Sequence, residues 1–298
     1  MTSTLWSSGP LPIAIPNVSE GRDQEILGRF GDAIEKSGAR VLDIHSDAVH
    51  NRSVFTVAGP AQVLPPAMSS LALETSSIDL EAHRGAHPRL GGLDVCPIVA
   101  YEVSVADAVD IAFATGRSIA GRARLPVYFY GYAARRRETK ELPDLRRGGL
   151  TELILKEERG LHPDLGPGKI DRRRGVVCVG ARGPLIAFNV WLRSDYETAV
   201  AIAGRVRSSG GGSPGVRAIG IAMSKATSQI SMNLIDPQRT GIDRAFEDVR
   251  SVSRTFGVPI EGAEIVGLVP TVHLPNPDAQ AARLLIQPGR SLEEALAG

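Results

Sequence analysis

A chain of 298 residues is longer than one hydrophobic core readily fills, and 43% hydrophobic with 22% charged residues is ordinary globular composition, which excludes a disordered or fibrous protein. With 34 basic against 33 acidic residues the formal charge is +1, so no global field draws nucleic acid and any anionic partner is met locally. No apolar run reaches the roughly twenty residues of a membrane span, and the opening Met1 to Pro10 has neither the basic segment nor the apolar core of an export signal, which predicts a soluble, cytoplasmic protein.

In chain order the pattern predicts a strand over Leu11 to Pro16, a helix from Glu20 to Ser37, strands at Val41 to His45 and Ser53 to Ala58, and a helix from Ala61 to Ser76. A strand at Leu93 to Val99 completes β-α-β-β-α-β, and a helix from Val105 to Ala123 with a strand at Val127 to Tyr130 extends it. Gly131 to Arg174 is a long excursion rich in Arg, Gly and Pro, of the length expected for a lid or binding segment, with a short helix at Leu150 to Glu158. The second half repeats the order: strand Leu185 to Leu192, helix Tyr196 to Val206, strands Arg217 to Met223 and Gln229 to Leu234, helix Gly241 to Phe256, strand Ala263 to Leu268. Ser208 to Gly215 is a flexible helix-to-strand connector. The fold class is α/β (α+β), with two tandem ferredoxin-like βαββαβ subdomains, 1–183 and 184–298, expected to pack sheet to sheet around a ligand cleft.

The chemistry concentrates in His83 to Pro97, where two histidines and two arginines are spaced by Gly85, Gly91, Gly92 and Pro88. Spacing of four between His83 and His87 resembles a helical zinc pair, but Gly85 and Pro88 remove the helix, so no metal is expected and His83 reads as structural. His87, beside Pro88 and Arg89, has the pKa range to move a proton near neutral pH while an arginine fork grips a carboxylate. Cys96 and Cys178 sit in apolar runs as reduced core thiols, and no nucleophile elbow is present. Gly166 to Gly175 lacks Walker or Rossmann context, so its anion-binding meaning stays open, and Arg172 to Arg174 taken alone read as a solvated turn. Arg182 and Asn189 place polar groups in an apolar run, where they need partners or a site to face.

Several segments in the same order, covering most of the chain, resemble the formiminotransferase family. They are Ile15-Pro-Asn-Val-Ser-Glu-Gly21, Asn51-Arg52-Ser53-Val54, the His83 to Pro97 run, Asp164-Leu-Gly-Pro167, Gly180-Ala-Arg-Gly-Pro-Leu-Ile-Ala-Phe-Asn189 and Val266-Gly-Leu-Val-Pro270. The resemblance implies transfer of a formimino group from N-formimino-glutamate to N5 of tetrahydrofolate, a step of histidine breakdown. It also implies two α/β subdomains with folate between them, a homodimer, and a separate cyclodeaminase downstream.

By the resemblance the catalytic histidine falls on His87. The folate-contacting segment falls on Gly166, Pro167, Gly168, Lys169, Ile170, Asp171, Arg172, Arg173, Arg174 and Gly175. The substrate carboxylates need cationic forks, for which Arg52, Arg89 and Arg182 are the candidates, with Asn189 beside them. Two positions depart from the family pattern: His45, where mammalian sequences carry an acidic residue, and the charge of Arg172 to Arg174. A relative using 5-formyl-tetrahydrofolate, or a folate-binding protein without turnover, is the alternative. The five tyrosines and seven phenylalanines form no stacking run of the kind RNA-binding sheets use.

Overall fold

The structure, a computed structural model, describes residues 11–298, so Met1 to Pro10, read above for export signals, lie outside it. The chain divides into two compact units, one ending at Gly183 and one running from Pro184 to Gly298. No helix among the described residues is long and apolar enough to cross a membrane.

The first unit runs β1 (Ile13–Ala14), β2 (Asn17–Val18), α1 (Gln24–Glu35), β3 (Arg40–Asp47), β4 (Arg52–Ala58), α2 (Leu64–Glu74), β5 (Leu93–Val99), α3 (Val105–Arg122), β6 (Val127–Gly131), α4 (Leu142–Arg146), α5 (Gly149–Glu158) and β7 (Val177–Arg182). The single strand expected over Leu11 to Pro16 is two short ones, because Pro16 has no N–H to give the ladder. Pro16 still accepts from Phe55 N at 2.9 Å, which keeps the two pieces in line. The helix expected from Glu20 begins only at Gln24. Glu20 Oε1 accepts from the amides of Gly21, Arg22 and Asp23, and Asp23 caps the helix at Glu25 N and Ile26 N.

Strand order is β3-β4-(β1, β2)-β5-β7-β6, antiparallel through β5 and parallel from β5 to β7 and from β7 to β6. The βαββαβ order is therefore present but extended by two strands, of which β7 was not distinguished in sequence from the run that follows it. One face of the sheet packs on α1, α2 and α3 through Phe30, Ile34, Leu71, Ile111 and Ile119. The excursion after β6 covers the other face of β5, β7 and β6: Leu145, Leu153, Ile154 and Ile170 are buried against Val95, Tyr128, Tyr130 and Cys178. This corrects the reading of Gly131 to Arg174 as a lid, since a segment that buries its own apolar side chains is part of the core. Burial on both faces is why β5, β6 and β7 read as continuous apolar runs.

Cys96 and Cys178 are both free and buried, each thiol pushed up to about 12 by burial. They belong to clusters on opposite faces of the sheet, which rules out a bond between them.

The second unit runs β8 (Ile186–Leu192), α6 (Tyr196–Val206), β9 (Val216–Ala222), β10 (Ser228–Leu234), α7 (Ile242–Thr255) and β11 (Ile260–Val266), in the antiparallel order β11-β8-β10-β9. Ile186, Phe188, Val190 and Leu192 alternate toward α6 and α7, packing on Ile202, Val206, Phe246 and Val249. The last strand starts three residues earlier and ends two earlier than the sequence pattern predicts. Leu268–Val269 instead forms a separate strand β12, paired in parallel with β13 (Arg290–Ser291). The connector after α6 is held in place, with Ser208 Oγ donating to Ser213 O and Val216 O.

Candidate functional site

The site of the first unit grows from an irregularity in β5. Val18 pairs with Leu93 and Asn17 with Val95, so Asp94 is an extra residue, a β-bulge that re-aims its side chain. Its carboxylate is fully buried. Arg52 Nη1 donates to Oδ2 at 2.5 Å, Arg146 Nη2 donates to the same oxygen, and Leu90 N donates to Oδ1 at 2.8 Å. Burial alone would raise the Asp94 carboxyl, but the charges of Arg146 and Arg52 outweigh it and hold it at about 2. Arg52 is lowered to about 10, first by burial, with Asp94 opposing. Its Nε and Nη2 donate to Asn17 Oδ1 at 3.2 and 2.7 Å, so three neighbouring strands contribute to one cluster.

The loop carrying His87 is fastened to this cluster by backbone contacts that admit only glycine. A Cβ on Gly85 would stand 2.2 Å from His50 O, and one on Gly91 would stand 2.0 Å from Val176 O. Asn51, at φ 47°, accepts from Gly21 N through Oδ1 and donates through Nδ2 to Arg84 O. The motifs around Gly21 and Asn51 thereby meet the histidine loop.

His87 itself is half-buried. Its Nδ1 donates to Pro88 O at 2.7 Å, which places the ring proton on Nδ1 and leaves Nε2 as the basic nitrogen. Burial, then the charges of Arg52 and Arg146, hold its pKa well below the usual histidine value, with Asp94 opposing. The ring is neutral near pH 7, and His50, which sequence reasoning passed over, stands edge-on with ring centroids 6.0 Å apart. The only sequence signal for His50 was its place directly before Asn51-Arg52.

The other expected residues fall differently. Arg89 turns back on its own loop: Nη2 donates to His87 O at 2.7 Å and Gly85 O at 2.8 Å, and Nη1 contacts His83 Nδ1. The fork reserved for a substrate carboxylate is thus occupied, and its action is to shape the loop. Arg182 bonds Tyr130 and donates to Gly183 O at 3.0 Å. Asn189 belongs to the second unit, where Nδ2 donates to Glu264 Oε2 at 3.2 Å.

The Gly166 to Gly175 segment is a tight turn. Asp171 Oδ1 accepts from Arg173 N and Arg174 N, Gly175 N donates to Asp171 O, Ile170 is buried, and Gly166 needs its φ of 85°. Arg173 pairs with Asp79 and Glu81, and Arg174 donates to Ser76 Oγ and Ala123 O, which ties this segment to the base of the histidine loop. Exposed Lys169 and Arg172, with Pro167 and Gly168, make up the rest. Arg146 was missed because it lies in an excursion whose arginines looked interchangeable. Among the described residues no group of three or more His, Cys, Asp or Glu is placed to hold a metal ion.

Fold and site together define a two-unit α/β protein whose candidate site sets an uncharged imidazole beside a buried guanidinium–carboxylate cluster. Comparison with known proteins supplies the family. Residues 11–182 match the N-terminal subdomain of the formiminotransferase domain, and residues 187–286 match the formiminotransferase domain. The chain is 38% identical to the glutamate formimidoyltransferase of Streptococcus pyogenes serotype M1, over 86% of this chain and 88% of that one. It is 37% identical to the glutamate formimidoyltransferase of Thermoplasma acidophilum, over 86% and 87%. It is 36% identical to the formimidoyltransferase-cyclodeaminase of Rattus norvegicus, over 86% of this chain and 49% of that longer one. The chain belongs to the formiminotransferase family and is a transferase.

Proposed function

We propose that the protein is a glutamate formimidoyltransferase that moves the formimino group of N-formimino-glutamate to N5 of tetrahydrofolate, a step of histidine breakdown. The observation that carries this reading is the state of His87: uncharged, with Nδ1–H committed to Pro88 O and Nε2 without a hydrogen-bond partner among the described residues. N5 attacks the amidine carbon, forming a C–N bond and giving its proton to Nε2. The bond from that carbon to the glutamate nitrogen then breaks, and the imidazolium returns the proton to the departing nitrogen. One imidazole serves as base and then as acid, and a group so placed accelerates transfer on the order of a hundred- to ten-thousand-fold.

Arg52 offers cationic charge for the substrate, Arg89 holds the loop that presents His87, and Arg182 and Asn189 are polar positions at which to look for further substrate contacts. The segment Gly166 to Gly175 holds folate, with Lys169 and Arg172 free to meet the anionic tail. Its hydrogen bonds to the base of the histidine loop support a shared site.

The test is turnover of N-formimino-glutamate with tetrahydrofolate, followed as 5-formimino-tetrahydrofolate, for the wild type and H87A. Wild-type turnover with a hundred-fold or greater loss in H87A, and folate affinity kept, is the expected result. Folate binding without turnover in either form would reject the substrate assignment in favour of a 5-formyl-tetrahydrofolate enzyme or a folate carrier.

A further inference from the structure

The cluster around Asp94 is not neutral. Two guanidinium groups share one carboxylate, so one positive charge remains uncompensated beside His87. The two arginines are also unequally engaged. Arg52 uses Nε, Nη1 and Nη2 on Asn17 and Asp94, whereas Arg146 makes one hydrogen bond, to Asp94, and its Nε–H is buried with no partner. An orphaned charged donor of this kind is costly unless something accepts from it. Neither side chain is sealed off, Arg52 being 10% and Arg146 18% exposed, while Asp94 beneath them is at 0%. A planar carboxylate is the anion that matches a guanidinium fork and one surplus charge.

We infer that Arg146, carried in by α4 and oriented by Asp94, is the residue that receives the α-carboxylate of the glutamate moiety. The inference rests on the proposed formimino transfer and assigns one of its two carboxylates. Choice between them follows from covalent distance. The nitrogen that His87 must reprotonate is attached to the α-carbon, and α-carboxylate oxygens stand only about 3 Å from it, whereas the γ-carboxylate lies two methylenes further away. An anion seat adjoining the proton-transfer residue therefore suits the α group. The groups around it are Arg52 from β4, Asp94 from β5, Arg146 from α4, Tyr130 from β6, Cys178 from β7, and His50, His87 and Arg89 from the adjoining turns.

Binding of L-glutamate, L-glutamine and L-isoglutamine to the purified protein, measured by calorimetry, tests this independently of turnover. Glutamine keeps the α-carboxylate and isoglutamine has it as an amide. Wild type is expected to bind isoglutamine at least ten-fold more weakly than glutamate, and glutamine within a few-fold of it. R146Q should lose at least ten-fold in glutamate affinity and raise KM for N-formimino-glutamate without raising KM for tetrahydrofolate, and R146K should recover part of both. Thermal melting confirms that each variant is folded, and R146K reports on the charge should R146Q not fold. Equal binding of isoglutamine and glutamate, unchanged glutamate affinity in R146Q, or no glutamate binding by wild type would overturn the assignment. If glutamate binds through Arg146 but no formimino group moves, the reaction assignment fails and the carboxylate seat stands. If turnover proceeds in R146Q at unchanged KM, the reverse holds.

Discussion

Both units arrange four antiparallel strands in the same relative order with helices on one face, yet they spend their interiors differently. Among the described residues the second unit buries no Asp, Glu, Lys or Arg, and its buried polar groups are Asn, Gln, Ser and Thr. The first unit buries Asp94 completely, with Arg52 and Arg146 upon it. Topology does not account for this difference. A one-residue bulge in β5 and an excursion that brings in Arg146 do, so the chemistry is added to the frame by local departures from it.

The contrast breaks most visibly at Asp94. Asp94→Ala leaves two partly buried guanidinium groups without their carboxylate and is expected to cost about 3–5 kcal/mol in denaturant unfolding. Asn189→Ala in the second unit, which loses one hydrogen bond to Glu264, should cost about 1 kcal/mol. Equal costs would show that the Asp94 cluster is solvated in solution.

Two glycines, one from each unit, are expected to differ in sign. Gly91→Ala drives a Cβ to 2.0 Å from Val176 O and should destabilise by about 1–3 kcal/mol, with loss of activity through the displaced histidine loop. Gly204→Ala in α6 meets nothing within 4 Å and should stabilise by about 0.5–1 kcal/mol. A melting series on the two variants reads both directions.

The pH dependence sharpens the same point. Because His87 in the folded protein lies well below 6.5, the unfolded chain takes up a proton there that the native chain does not. Stability therefore falls as pH drops below about 6.5, whereas the acid limb of kcat/KM, set by loss of the neutral imidazole, lies at lower pH than for an ordinary histidine. A limb at or above 6.5 would place the controlling proton elsewhere. Asp94 acts in the same direction at lower pH: its contribution is present above 3.8 and is lost as pH falls toward about 2. The smallest effects belong to exposed pairs. Arg193→Ala, which removes the contact with Glu261, should change stability by about 0.2–1 kcal/mol, and less in high salt.

Most of the frame was legible because periodicity records burial. The strand Leu93 to Val99 and the helix Tyr196 to Val206 stand where the sequence places them. Legibility failed where structure depends on partners distant in the chain. Nothing local in Asp94 distinguishes a bulge from a regular strand residue, since the bulge is defined by Asn17 and Val18 opposite. Nor does an arginine in an Arg-rich excursion declare its carboxylate. His87 was legible because Gly85, Pro88 and Arg89 already describe a shaped loop, and His50 was not, because its neighbours suggest only a turn.

The cluster at Asp94 also has a history within each molecule's folding. Its two ion pairs join residues 42 and 52 positions apart, so the first closes only once the strands have found each other and the second only once the excursion has docked. Until then all three charges keep their hydration, and a chain arrested short of that step carries a formed helix layer but no competent site. Recovery of activity after refolding should accordingly lag behind recovery of helical signal, which makes the catalytic assay the stricter measure of a finished fold.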